Sequence, residues 1–224
     1  MDENTVKKNL TELVFILDRS GSMFNLVSDT IGGFNSMIES QKKEPGEAYV
    51  TTVLFDDYYE LLHDHINLRE IHPITDEEYY VRGCTALLDA IGKTINSIGA
   101  RLNDTPEDER PDKVIFVIMT DGYENKSKEF TKSQVKEMVE HQQNKYSWTF
   151  MFLGSDIDAV AEAKSLGINS DFARSHTHTS VGTQSVYNAV SNAVIYLRGD
   201  ANWNLSNAGS TTYKAVMGTL DQVE

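Results

Sequence analysis

The chain alternates between short apolar runs and longer segments whose apolar residues recur every three or four positions. Three runs are rich in Val, Ile and Phe and contain almost no polar residues: 13–17, 114–119 and 148–154. Such runs are typical of strands buried on both faces of a parallel sheet. Residues 48–57 and 58–68 alternate more regularly, so we predict that they form a hairpin or meander nearer a sheet edge.

Helical patterns separate or follow these runs. Three of them are defined by apolar stripes: Val27, Ile31, Phe34 and Ile38; Leu88, Ile91, Ile95 and Ile98; Val186, Val190, Ala193, Val194 and Leu197. The two glycines at 32–33 weaken the first stripe. Thr131 and Gln134 have the spacing of a capping box at the start of a further helix. A shorter helix is predicted from Asp156 to Gly167, where glycine favours a left-handed cap.

Strands that alternate with helices predict an α/β fold with right-handed crossovers and a sheet covered on both faces. The 224 residues, 40% of them hydrophobic, are enough for one sizeable core. We predict a single domain over residues 11–198, between an N-terminal extension (1–10) and a polar C-terminal tail (199–224). Composition leaves open whether that tail is loosely held or docks as an extra element. Residues 101–113 are predicted to form a polar loop.

The charge balance narrows the classes of partner. The formal net charge is -14, from 34 acidic and 20 basic residues. Such a surface repels phosphate backbones and anionic lipid heads, which argues against nucleic acid or membrane as the main partner. Cys84 is the single cysteine, so an intramolecular disulfide is excluded. The run 13–17 is too short for a signal-peptide core, and we therefore expect a cytoplasmic protein.

Two acidic residues follow buried strands at points where ligands bind in open α/β sheets. Asp18 ends the first apolar run, and Asp121 follows the run 114–119. Two carboxylates brought to one sheet edge repel each other unless a cation lies between them. Ser20 and Ser22 follow Asp18 at a spacing that lets one turning loop aim both hydroxyls at the same point.

A third hydroxyl is available from Thr85, just before the second helical stripe. All candidate ligands are therefore hard oxygens, which favour Mg²⁺, with Mn²⁺ or Ca²⁺ as alternatives, over Zn²⁺ or Cu²⁺. Two carboxylates match the +2 charge of a divalent cation in number, but the three hydroxyl ligands add no negative charge. The ion would stay electrophilic, with room for a carboxylate from a protein partner, either an Asp or Glu side chain or a chain terminus.

These motifs resemble those of von Willebrand factor A domains. The pattern Asp-x-Ser-x-Ser after a buried strand, a later Gly-x-Thr opening a helix and a later Thr-Asp-Gly ending another strand are the hallmark of that family. The five residues of its metal-ion-dependent adhesion site correspond here to Asp18, Ser20, Ser22, Thr85 and Asp121. The element order fits over roughly residues 10–198. Small stand-alone bacterial or phage members, including proteins encoded near tellurium-resistance genes, are similar in length and in the segment GCTALLDAI.

The resemblance implies a doubly wound, mainly parallel sheet with one antiparallel edge strand and helices on both faces. It also implies cation-dependent protein binding without catalysis, with a last helix able to shift between low-affinity and high-affinity positions. A further hypothesis is that the protein is a binding subunit of a larger ATPase-linked complex. The enzymatic alternative is a Mg²⁺-dependent phosphohydrolase of the haloacid-dehalogenase type, which also places Asp after its first strand. That fold needs a second Asp two residues later, where this chain has Ser20.

Five residues near these motifs are candidates for supporting roles: Asp89, Glu124, Asn125, Tyr79 and Tyr80. Asp89 is either an acceptor behind the ligands or a residue that orients its helix start. Glu124 and Asn125 either line the rim of the site or are solvated loop residues. Tyr79 and Tyr80 are candidates for an aromatic rim that contacts a partner, with edge-strand packing as the alternative.

Cysteine and histidine are not expected to act as ligands. Cys84 is interpreted as a small buried neighbour of the metal loop, because no activating group accompanies it. His63 and His65 alternate as residues along a strand do, and so do His176 and His178. Each pair lacks the further donors that a zinc site needs, so all four are interpreted as ordinary histidines.

Overall fold

A computed structural model of the chain describes residues 9–155 and 157–200. The strands are β1 (Leu10–Asp18), β2 (Glu47–Phe55), β3 (Tyr59–Asn67), β4 (Lys113–Thr120), β5 (Thr149–Ser155) and β6 (Ala173–His176). The helices are α1 (Val27–Gln41), α2 (Leu87–Asp104), α3 (Lys132–Tyr146), α4 (Ala159–Ser165) and α5 (Ser180–Gly199). A 3-10 helix, Gly21–Leu26, connects β1 to α1.

The six strands form one sheet in the order β3-β2-β1-β4-β5-β6. Only β3 runs antiparallel to its neighbour, and it pairs with β2 at the edge. The prediction of a doubly wound, mainly parallel sheet with an antiparallel edge strand is therefore confirmed. Connections run outward in one direction from β1 and in the other from β4. The strand order thus reverses between β1 and β4, which is where open α/β sheets bind their ligands.

Helices cover both faces of the sheet, and all nine residues of β1 are buried. The ring of Phe15 packs edge-on against Phe34 of α1, with centroids 5.4 Å apart. Glu12 accepts a hydrogen bond of 2.7 Å from Arg101 of α2. Because residues an odd number of positions apart point to opposite faces of a strand, α1 and α2 lie on opposite faces. Next to them, α5 packs against α1 and α3 packs against α2.

Close packing between α1 and α5 explains the glycine that weakens the α1 pattern. A Cβ atom on Gly33 would lie 2.3 Å from the ring of Tyr187 in α5. Glycine therefore lowers the intrinsic stability of α1 and, in return, allows the two helices to approach. Near the other end of α5, the buried Arg198 donates to the backbone oxygen of Gln41 over 2.8 Å. The last helix is thus tied to α1 at two separate points.

Several local predictions hold and others need correction. The capping box at Thr131 is present, and Gly167 adopts the predicted left-handed conformation, with φ of 77°. The loop predicted from residue 101 is wrong at its start, because α2 continues to Asp104. Arg101, in the last turn, contacts the buried Glu12 at 2.7 Å. The strand β6 was not among the predicted apolar runs, since it is only four residues long.

Some predictions fall outside the described residues. These are Asp156 as the start of the short helix and nearly all of the N-terminal extension and polar tail. Within the described part, α4 begins at Ala159, after the cap residue Asp158. None of the described helices is both long enough and apolar enough to cross a membrane.

Candidate metal centre

Asp18 lies at the reversal point of the sheet, beside the end of β4. Leu17 of β1 pairs with Met119 of β4, which brings Asp18 level with Thr120. Thr120 donates its hydroxyl to Asp18 Oδ2 over 2.6 Å, and the backbone N–H of Ser20 donates to Asp18 Oδ1 over 2.7 Å. The side chain of Asp18 is thus held by hydrogen bonds on both oxygens and is almost completely buried.

Ser20, Ser22 and Asp121 form a continuous row of oxygens next to Asp18. The hydroxyls of Ser20 and Ser22 share a hydrogen bond of 3.0 Å. Ser22 Oγ in turn donates to Asp121 Oδ1 over 2.6 Å. Four of the five residues predicted as ligands therefore lie in one hydrogen-bonded cluster between the ends of β1 and β4.

Thr85 approaches this cluster across Gly122. A Cβ atom on Gly122 would lie 3.2 Å from Thr85 Oγ1 and 3.7 Å from Ser22 Oγ. The two hydroxyls thus face the same small volume, which only a residue without a side chain leaves open. Thr85 is buried, as are Asp18 and Asp121. The structure accordingly brings all five predicted residues together.

Backbone hydrogen bonds fix the three loops of the cluster relative to one another. The N–H of Gly21 donates to the carbonyl of Gly83 over 3.1 Å, which joins the serine loop to the Thr85 loop. The N–H of Thr85 donates to Asn125 Oδ1 over 3.0 Å, and the N–H of Asn125 donates to the carbonyl of Thr85 over 3.1 Å. The oxygens are therefore held in place before any ligand binds.

The electrostatics of Asp18 favour a nearby positive charge. Burial raises the pKa of Asp18 to about 6, while hydrogen bonds from Thr120 and Ser20 lower it and the charge of Asp121 raises it further. Ionising this carboxyl group is therefore less favourable in the folded protein than in the unfolded chain. A cation bound among the oxygens would offset that cost.

A buried charge network lies directly beside the cluster. Arg19 is fully buried, and its guanidinium contacts Asp56 at 2.9 Å and Glu60 at 2.7 Å. Asp56 also accepts from Arg82 Nε over 2.6 Å. The charge of Arg19 is therefore balanced by these two carboxylates on the side of β2 and β3. No sequence motif marks this network, because its members come from three separate segments.

The supporting residues mostly organise loops. Asp89 accepts three backbone N–H bonds of 2.9 Å from residues 128–130, which fixes the segment that leads into α3. Glu124 accepts from the N–H of Leu88 over 2.9 Å and so holds the start of α2. Together with Asn125, these side chains lie behind the oxygen cluster and determine the position of the Thr85 loop.

Of the two readings of Tyr79, packing or an aromatic rim, the rim is wrong, and the expected burial of Cys84 is wrong too. Tyr79 is fully buried, and its hydroxyl donates to the backbone oxygen of Asp18. Tyr80 is exposed, and its ring lies 5.4 Å from the guanidinium of Arg82. Cys84 was expected to be buried but is exposed.

One histidine lies closer to the cluster than its sequence context indicated. His178, in the loop between β6 and α5, places Nδ1 3.6 Å from Asp121 Oδ2. It was interpreted as an ordinary histidine because the pair His176 and His178 lacks further zinc donors nearby in the sequence. Its contact with Asp121 joins residues far apart in the chain. Among the described residues, no group of three or more His, Cys, Asp or Glu side chains is arranged to hold a metal. The oxygen cluster combines two carboxylates with three hydroxyls.

Comparison with solved structures identifies the fold. The von Willebrand factor domain of the pilus tip protein Mfa5 from Porphyromonas gingivalis matches with a TM-score of 0.60 and 10% identity, over 87% of this chain and 98% of that one. The manganese-loaded TRAP protein of Plasmodium vivax matches with a TM-score of 0.56 and 19% identity, over 77% and 70%. A mussel byssus protein, proximal thread matrix protein 1 with a zinc-occupied MIDAS motif, matches with a TM-score of 0.56 and 16% identity, over 83% and 46%.

The chain thus spans less than half the length of the mussel protein. No protein-family sequence model matches it, and no curated protein sequence matches it significantly. The narrower resemblance to proteins encoded near tellurium-resistance genes stays a prediction. The agreement in strand order, edge strand and helix placement shows that this chain has the fold of von Willebrand factor A domains.

Proposed function

We propose that the protein is a metal-dependent interaction module that binds a carboxylate of a protein partner. The observation that carries this proposal is the convergence of four oxygens (from Asp18, Ser20, Ser22 and Asp121) at the reversal point of the sheet. Thr85 adds a fifth oxygen from the facing loop. In this proposal these five residues hold a divalent cation, directly or through water.

The donor set fits a hard cation. Carboxylate and hydroxyl oxygens suit Mg²⁺, Mn²⁺ and Ca²⁺, and Mg²⁺ is the proposed ion because it retains water where a site supplies few charged ligands. When bound, the ion would supply the positive charge that attracts a partner's carboxylate. Two solved structures of the same fold support a divalent metal here, one described as manganese-loaded and one as having a zinc-occupied MIDAS motif.

Exposed aromatic side chains favour a protein as the partner. Four aromatic side chains are exposed in the connections between the helices and strands, one of them in the 3-10 helix after β1: Phe24, Tyr58, Tyr80 and Tyr123. Aromatic residues are enriched at protein interfaces. A pull-down from the native host tests the proposal directly. We expect a partner that is retained in Mg²⁺ and released by EDTA; identical capture under both conditions would contradict the proposal.

The arrangement of the site favours binding over catalysis. In a Ser-His-Asp triad the imidazole lies between the serine and the carboxylate. Here Asp121 lies between Ser22 and His178 instead. The residue two positions after Asp18 is Ser20, which also disfavours a haloacid-dehalogenase mechanism. If the wild type releases phosphate from simple phosphoesters and Asp18→Asn does not, the result would support the phosphohydrolase hypothesis instead. A role within an ATPase-linked complex remains compatible with the proposal, since it too is binding.

Metal binding is expected to weaken in acid. The folded-state pKa of Asp18, about 6, lies above its ordinary value of 3.8, so the folded state without metal holds this proton more tightly than the unfolded chain does. The resulting stabilisation is fully present below about pH 4 and is lost as the pH rises through about 6. A metal must displace this proton, so we expect Mg²⁺ affinity to be about tenfold lower at pH 5 than at pH 7.5. Calorimetric titration at constant ionic strength measures this, and equal affinities would exclude Asp18 as a ligand.

The bond between Asn125 and Thr85 is expected to contribute to metal affinity. Asn125→Ala removes the acceptor of the Thr85 N–H, which lies 3.0 Å away, so the Thr85 hydroxyl loses part of its positioning. We expect Mg²⁺ affinity to fall about tenfold, the usual size of such an outer contact. Asn96→Ala is the matched control, because Asn96 is exposed on α2. If both variants bind Mg²⁺ equally well, the position of Thr85 does not matter for the site.

A further inference from the structure

A cleft lined by lysines lies beside the oxygen cluster. It has a volume of about 670 Å³, and Ala86, the residue after Thr85, forms part of its wall. Phe55, at the end of β2, lines the cleft as well and pairs with Asp18 in the sheet. Neighbouring strands lie about 4.8 Å apart, so the cleft begins one strand away from a proposed ligand of the metal.

The cleft presents positive charge in a protein whose formal net charge is -14. Its lining includes Lys93, Lys126 and Lys128. Lys93, on α2, contacts Glu129 at 2.6 Å. Lys126 and Lys128 are exposed, and among the described residues neither ammonium group is paired with a carboxylate. Two cationic groups of the cleft are therefore available to a ligand.

The carboxylates that line the same cleft already have partners within the protein. Asp89 accepts three backbone N–H bonds of 2.9 Å from residues 128–130. Asp57 accepts from the N–H of Cys84 over 2.9 Å. The third carboxylate, that of Glu129, is the one paired with a lysine. The bonded oxygens are directed at the protein itself, so an anionic group of a ligand would meet the two unpaired ammonium groups.

The turn that carries these two lysines is fixed on the start of α2. One oxygen of Glu124 accepts from the N–H of Lys126 over 2.7 Å, and its other oxygen accepts from the first turn of α2 over 2.9 Å. The N–H of Asp89 donates to Ser127 Oγ over 3.0 Å, and the N–H of Lys128 donates back to Asp89. Only the lysine side chains, and not the loop, must therefore be ordered when an anion binds, which lowers the entropic cost of binding.

We propose that this lysine cleft binds a second acidic side chain of the partner whose first carboxylate completes the metal site. This inference rests on the proposed function. The recognised segment would carry two carboxylates, one for the ion and one for Lys126 and Lys128. Electrostatic complementarity of this kind contributes specificity and faster association more than raw affinity. The cleft would therefore select acidic segments among the many proteins that can offer a single carboxylate.

Short synthetic peptides test this inference without knowledge of the natural partner. One capped peptide carries a single Asp in a glycine background, and a second set adds one Glu at each of several distances on either side of that Asp. Fluorescence anisotropy with the full chain in Mg²⁺ measures their affinities. We expect the best peptide with two acidic residues to bind about fivefold more tightly than the peptide with one, which is the upper range for an exposed ion pair. At an ionic strength of about 1 M this gain should largely disappear.

Two double variants show where the second carboxylate binds. Lys126→Gln with Lys128→Gln should remove the gain and leave the affinity for the single-Asp peptide within twofold of the wild type. Lys145→Gln with Lys164→Gln is the matched control, because it changes the net charge equally at exposed positions that do not line the cleft. The control should keep the gain. Thermal unfolding shows whether each variant is folded.

The outcomes separate the inference from the proposed function. A gain that persists in the cleft variant, or no gain at any spacing, overturns the inference and leaves carboxylate capture by the metal intact. An equal loss for both kinds of peptide in the cleft variant also overturns it, since the lysines would then only attract anions in general. If no peptide binds in a Mg²⁺-dependent manner, the proposed function itself fails.

Discussion

Replacing both Asp18 and Asp121 with alanine is expected to abolish metal-dependent stabilisation while the fold is retained. A ligand present at one hundred times its Kd stabilises a folded protein by about 2.7 kcal/mol. The wild type should show a gain of about this size when Mg²⁺ is added at that excess. The double variant should show none, because both charged groups of the oxygen cluster are lost. Thermal or urea unfolding with and without Mg²⁺ measures the difference.

The control for this experiment removes two carboxylates elsewhere. Asp104 and Asp108 are exposed and lie near the opposite end of the sheet, before the start of β4. Asp104→Ala with Asp108→Ala changes the net charge equally and should leave the response to Mg²⁺ intact. If the double variant at the site responds to Mg²⁺ as the wild type does, the ion binds elsewhere and the assignment of the five ligands is wrong.

The second large effect concerns Asp56, and it is an effect on stability. Asp56→Ala would leave Arg19, which is fully buried, with Glu60 as its remaining counter-charge. It would also remove acceptors for Arg82 Nε and for the N–H of Tyr58. Breaking a buried ion pair by removing one partner typically costs about 3–5 kcal/mol. We expect the free energy of unfolding to fall by about that amount in urea denaturation.

Two further variants separate charge from shape in this network. Asp56→Asn keeps the size of the side chain and an acceptor oxygen but loses the charge, so most of the destabilisation should remain. Glu60→Gln alters the partly exposed partner of Arg19 and should cost about 1 kcal/mol or less. If Asp56→Asn and Glu60→Gln lower the free energy of unfolding equally, the burial of Asp56 does not determine how strongly it pairs with Arg19.

The site residues whose location could be predicted from the sequence are those at the ends of buried strands. Asp18 and Asp121 end or follow runs of buried residues, and neighbouring parallel strands end at the same edge of a sheet. Their proximity could therefore be predicted without coordinates. The edge hairpin was predicted from a different signal, the alternation of apolar and polar residues. The edge strand β3 is only partly buried, whereas β2 is buried from Val50 to Phe55.

The residues whose surroundings could not be predicted from the sequence are those that contact distant segments of the chain. His178 reaches Asp121 across 57 positions in the chain, and no local pattern encodes that approach. Arg19 and Asp56 pair across 37 positions. Tyr79 and Tyr80 carry identical side chains on adjacent residues, so the sequence could not decide which one is buried. Gly33 looked like a defect in α1 because the ring of Tyr187 that needs the space belongs to another helix.

The exposure of Cys84 has a practical consequence for following the site in solution. It is the only cysteine of the chain, and it is one residue from Thr85. A maleimide fluorophore can therefore be attached to the native sequence at a single position, without removing other thiols. The backbone N–H of Cys84 is bonded to Asp57 and not to any of the five oxygen-bearing residues, so the label would sit beside the cluster without replacing any of them. Its emission would report loop movement in real time as an ion or a partner arrives.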